Sequence, residues 1–170
     1  MTTLIRNREV VEDTWRTLQA DETVPEDGDV IVPLSVWREQ QQLPGARNGT
    51  TGVWLGPADD PADLDPADIG EWPALIAVHF PAFTDGRGYS TARLLRQRYG
   101  FKGELRAIGD ILRDQLYELA RCGFDSFALR ADQNAAEALR AFDDFSESYQ
   151  TDADRGALFE RRFRRARNAA

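Results

Sequence analysis

From residue 74 the chain alternates, three times over, an apolar strand-like run with an amphipathic helical stretch, and this alternation limits the folds open to it. Ala74-Leu75-Ile76-Ala77-Val78-His79-Phe80 is continuous and partly β-branched, the pattern of a strand buried on both faces. Tyr89, Ala92, Leu95 and Tyr99 then recur at helical spacing up to Gly100, which stops the helix. Residues 104–108 read as the next strand. Leu112, Leu116 and Leu119 form a second helical stripe, with Asp110 as the expected cap and Gly123 as the end. Ser126-Phe127-Ala128-Leu129 is a third strand, and Ala138, Leu139, Phe142 and Phe145 mark a third helix. Strands separated by helices pair in parallel through crossovers. The expected fold is therefore α/β: successive β-α units on a mainly parallel sheet. Periodicity does not choose between an open sheet and a partial β/α barrel.

The first half is less regular. Leu4-Ile5 and Val10-Val11 flank Arg6-Asn7-Arg8-Glu9 and suggest a short hairpin, hence a small N-terminal β extension. The stretch around residues 21–29 holds Asp21, Glu22, Glu26, Asp27 and Asp29 with Pro25, and reads as a loop. Val30-Ile31-Val32 is a short strand, followed by a helix over residues 36–41 with Ser35 as its expected N-cap. Gly52-Val53-Trp54-Leu55-Gly56 is a further strand. Pro57, Pro61, Pro66 and Pro73 among acidic residues mark residues 57–73 as an exposed connection. The simplest division is one α/β domain over residues 1–154, comprising the N-terminal elements (1–56), this connection and a β-α-β-α-β-α core (74–150), then a basic tail over 155–170.

With 42% apolar residues the chain can build a core, and no run approaches the length of a membrane span. The first residues lack the apolar stretch of a secretory signal, and Cys122 is the single cysteine, so a cytoplasmic location is expected. The net charge of −8 argues against a nucleic-acid binder. Charge is uneven: residues 155–170 carry six arginines and one acid, giving +5, on an otherwise acidic chain. One cysteine and one histidine supply no iron–sulfur spacing, no redox Cys pair and no zinc set, so no cofactor is expected from the residues.

In parallel α/β proteins ligands gather where strand C-termini meet helix N-termini. The richest such junction runs His79-Phe80-Pro81-Ala82-Phe83-Thr84-Asp85-Gly86-Arg87-Gly88-Tyr89-Ser90. Gly86 and Gly88 let a ligand approach the backbone, Arg87 offers a forked cation, and Thr84, Tyr89 and Ser90 offer hydroxyls. A small oxyanion is the expected guest, and a tight turn with Asp85 or Ser90 as helix cap is the plain alternative. His79 and Asp85 are the candidates for acid–base work. For the one histidine, a strand residue satisfied by neighbouring backbone is the other reading. Asp110 and Arg113 at the second junction, and Arg130 at the third, complete the candidate binding set. Caps and local ion pairs are the competing explanation there.

The run from Phe80 through Gly109-Asp110-Ile111-Leu112-Arg113-Asp114-Gln115 to Arg121-Cys122-Gly123-Phe124-Asp125-Ser126-Phe127 resembles a bacterial family of unknown function labelled an oxidoreductase of sulfite reduction. The resemblance is strongest over residues 75–150 and excludes the basic tail. It implies an accessory role beside a sirohaem sulfite reductase, or another sulfate-assimilation protein, in making sulfide for cysteine synthesis. It brings no catalytic residues, and the chain matches no flavin or nicotinamide fingerprint. Whether the protein is itself an enzyme stays open. The alternative is a small enzyme or oxyanion-binding protein acting at the 85–90 loop.

Overall fold

The computed structural model describes residues 3–41 and 47–143. The expected hairpin is present: β1 (Thr3–Arg6) and β2 (Glu9–Glu12) pair antiparallel. Asn7 and Arg8 both take positive φ (51° and 66°), the conformation a two-residue hairpin turn requires. The remaining strands are β3 (Arg16–Thr17), β4 (Val30–Pro33), β5 (Thr51–Leu55), β6 (Leu75–Phe80), β7 (Glu104–Gly109) and β8 (Ser126–Phe127). All eight form one sheet in the order β2-β1-β8-β7-β6-β5-β4-β3. From β3 to β8 each strand lies parallel beside its predecessor, and β1 closes onto β8 antiparallel. The hairpin, the expected N-terminal β extension, pairs onto β8 and forms one edge of the main sheet.

This topology settles the shape. β2 and β3 are opposite edges, yet only residues 13–15 join them. Laid flat, eight strands would hold those edges about 33 Å apart. The four steps from Glu12 to Arg16 span at most about 15 Å. The sheet therefore curls into a half-barrel, with residues 13–19, β3 included, as the strap that brings its edges together.

Period-2 alternation sorts the strand residues between two faces. Val30, Val53, Leu55, Ile76, Val78, Phe80, Leu105 and Phe127 point outward into the main core, where they meet Trp37, Ala92, Leu95, Leu116 and Leu119 from the helices. Ile31, Leu75, Ala77 and Ile108 point inward and pack with Trp15, Trp54 and Ala128. A buried polar cluster sits on the same inner face. The Arg106 guanidinium, 1% exposed, donates to Glu104 Oε1 (3.0 and 2.7 Å) and to Asp13 Oδ1 (2.9 Å).

The helices are α1 (Leu34–Gln41), α2 (Pro66–Ile69), α3 (Arg87–Arg93), α4 (Leu116–Cys122) and α5 (Ala135–Ala138). Four expectations need correction. α1 begins at Leu34, so Ser35 lies inside its first turn instead of capping it. Residues 57–73 are not simply an exposed connection: Pro61–Leu64 forms a 3-10 turn, α2 follows, and Leu64 is fully buried. The cause is the Asp-Pro pairing, since the Asp60 and Asp65 carboxylates cap turns whose first position a proline tolerates. Asp110 does not cap α4, which starts six residues later behind a 3-10 turn at Arg113–Gln115. β8 is two residues long instead of four. Phe145 and the basic tail lie outside the described residues.

Candidate functional site

The inner face opens at the C-terminal ends of the parallel strands into a cavity of 680 Å³. Trp54 comes from the end of β5, His79 from the end of β6, and Ile108 and Gly109 from the end of β7. Residues 128–131 follow β8, and the strap supplies Trp15 and neighbouring residues. Parallel β/α sheets generally present their ligands at this end, because strand ends fix side chains while the loops vary.

His79 and Ile108 are direct neighbours in the β6–β7 ladder, and both face inward. The His79 ring lies 5.5 Å from that of Trp54, tilted by 53°. Burial pushes its pKa below the ordinary 6.5, so the ring is neutral at pH 7. Neither ring nitrogen has a hydrogen-bond partner among the described residues, so the backbone satisfaction considered from sequence is absent there. Trp54 is fixed from the far side, where its indole Nε1–H donates to the Leu18 carbonyl (2.9 Å). The charged lining residues are already paired. Asp13 accepts from Arg106, Arg16 donates to Glu22 (3.1 Å), and Arg130 grips Asp132 (2.7 and 2.8 Å) while reaching Asp110 (2.9 Å).

The three strand–helix junctions fuse into one rim. Asp110 accepts from the Phe83 N–H (3.0 Å) with one carboxylate oxygen and from Arg130 with the other. Gln115 donates to the Phe83 carbonyl (3.1 Å) and accepts from the Leu112 N–H (2.9 Å). The Arg130 N–H bonds the Ile111 carbonyl (3.0 Å), and the Arg113 N–H donates to Gln133 (3.4 Å). Phe83, 54% exposed, projects from this knot.

Within the 85–90 loop, Arg87 turns back on Asp85 with two contacts (2.9 and 2.6 Å), and the Asp85 carboxylate also accepts the Arg87 N–H (3.1 Å). Those side-chain hydrogen bonds hold Asp85 at a pKa of about 2. Arg87 is thus committed to its neighbour. Thr84, Gly86 and Ser90 are exposed, whereas Tyr89 is half-buried edge-on to Phe80 (5.4 Å) and accepts from Gln115 (3.4 Å). Gly88 is buried against the Phe80 ring, which a Cβ there would strike. Of the candidates, His79 and Arg130 line the cavity, and Asp110 and Arg113 belong to the rim.

Sequence reasoning missed Trp15, Trp54 and Arg106 as site-forming residues. For Trp54 a signal existed in the alternation of Gly52-Val53-Trp54-Leu55, which sets the tryptophan apart from its outward neighbours. Trp15 and Asp13 meet β7 across more than ninety positions, which no local pattern reveals.

Among the described residues no group of three or more His, Cys, Asp or Glu could hold a metal ion, and no helix is long and apolar enough to cross a membrane. The model of the family described as "Bacterial protein of unknown function (DUF934)" matches residues 52–159, more than half of the chain. No curated protein matches it. The chain belongs to the DUF934 family.

Proposed function

We propose that this DUF934 member supports assimilatory sulfite reduction in the cytoplasm, as an accessory protein of a sirohaem sulfite reductase, and that it works through the rim at the ends of β6, β7 and β8. One observation carries the reading. Within the residue run that resembles the sulfite-reduction family, Phe83, Asp110 and Gln115 are tied together in one rim. Asp110 accepts from Phe83 and Arg130, and Gln115 donates to Phe83, so these bonds join neighbouring loops. Such bonds fix the outline of a surface, as recognition of a partner requires. Phe83 gives that surface an exposed aromatic anchor, a residue type enriched at interfaces.

The test is co-elution of tagged protein with the reductase, under oxidising and reducing conditions. The expected outcome is a stable complex with the wild type, weakened by Phe83→Ser. Absence of any association in both conditions would sink the proposal.

A second reading, oxyanion binding at the 85–90 loop, draws support from open space above Gly86, where a Cβ would meet nothing within 4 Å. The Asp85–Arg87 pair weighs against it, since a carboxylate already occupies the guanidinium. Full function of Arg87→Ala in the cell would remove this reading.

A further inference from the structure

The cavity at the half-barrel mouth supports an inference independent of any role in sulfite reduction. We propose that it binds a small, uncharged heteroaromatic group, laid against the indoles of Trp15 and Trp54 with a polar edge on the imidazole of His79.

The walls fit such a guest. Trp54 and His79 stand on adjacent strands and are tilted against each other. Trp15 packs on the inner-face cluster of Ile31, Leu75, Ala77 and Ile108. The Trp54 bond to Leu18 and the Arg106 bond to Asp13 hold the strap in place, so these aromatic surfaces are set before a ligand arrives. A volume of 680 Å³ falls within the range of small-molecule sites, roughly 300–1,000 Å³.

The polar groups narrow the class. Asp13, Arg16 and Arg130 each have a counter-charge, so the lining offers an ion no uncommitted partner among these three. An anion would compete with Asp110 and Asp132 for Arg130, or with Glu22 for Arg16. His79 is held neutral by burial and keeps one N–H donor and one lone pair unused among the described residues. A flat ring bearing its own donor and acceptor satisfies both the indole faces and that imidazole. An aliphatic ring, even one with a hydroxyl for the imidazole, would leave the indole faces without a stacking partner.

The single histidine makes the test direct, because the full-length protein gives one imidazole Cε1–H resonance. It is titrated with adenine and nicotinamide, and in parallel with cyclohexanol, sodium sulfite and sodium sulfate. The expected result is a saturable shift with at least one heteroaromatic and none with the aliphatic or the anions. Trp54→Leu should weaken that binding by about tenfold, the worth of one stacking surface. Ala131→Trp, a substitution at an exposed lining position, should fill the mouth and abolish the shift while the circular dichroism of the sheet is kept. No shift with any heteroaromatic, a saturable shift with sulfite or sulfate alone, or undiminished binding to Ala131→Trp would each overturn the proposal.

Discussion

His79 shows how far the surroundings of a residue decide its chemistry. A strand-end histidine is readily taken for an acid or base, and its position was legible in the sequence. Its environment was not, because Trp54 comes from another strand. The apolar setting lowers its pKa from 6.5, and the sign of the consequence follows. Well above pH 6.5 both the folded and unfolded states carry a neutral ring and stability is unaffected. Below 6.5 the unfolded chain takes up the proton first, so stability falls until the folded value is reached. Chemical denaturation across this window should show that loss, and His79→Gln should remove it. Asp125, raised by burial, works in the opposite direction at lower pH, so the difference between variant and wild type is the quantity to read. Two glycines make a second prediction at this scale. Gly109 has φ +99°, with a Cβ position that would strike the Phe80 carbonyl, and Gly88 lies against the Phe80 ring. Gly88→Ala should cost about 1–3 kcal/mol by overpacking, measured by urea denaturation. Gly86→Ala, with open space above it, should change little.

At the scale of elements, the sequence was most readable where hydrophobic period and chain neighbourhood agree. β6 is buried on both faces as its continuous apolar run implies, and Leu116 and Leu119 of α4 fall in the core as their spacing implies. Boundaries set by side-chain bonding were harder to see. Asp110 sits where a cap belongs, yet its carboxylate is recruited by Phe83 and Arg130 from the flanking loops. Leu64 lay hidden in a proline-rich stretch because two Asp-Pro turns fold it inward. The strap is the element that sequence could least reveal, since its anchor is a buried ion pair between Asp13 and Arg106. Arg106 is shared by two carboxylates, Asp13 and Glu104, so removing it leaves both without their common guanidinium. Arg106→Met should therefore destabilise the fold by about 3–5 kcal/mol. Asp13→Ala, which leaves Arg106 paired with Glu104, should cost less; urea midpoints compare the two.

At the scale of the whole molecule, the choice between open sheet and half-barrel rests on a single connection. Three residues join opposite edges of an eight-stranded sheet, and only a curled sheet lets them reach. Periodicity cannot report this, because the same alternation serves flat and curled sheets. The curl brings the N-terminal strap, outside the family match, against strand ends that lie within it. It also places cavity and rim at one end of the molecule. The central proposal is that this assembly serves sulfite reduction. The most direct measurement is growth of a strain lacking the gene on sulfate, sulfite, sulfide or cysteine as sole sulfur source. The account predicts failure on sulfate and sulfite, growth on sulfide and cysteine, and rescue by the wild-type gene. Normal growth on all four would contradict it.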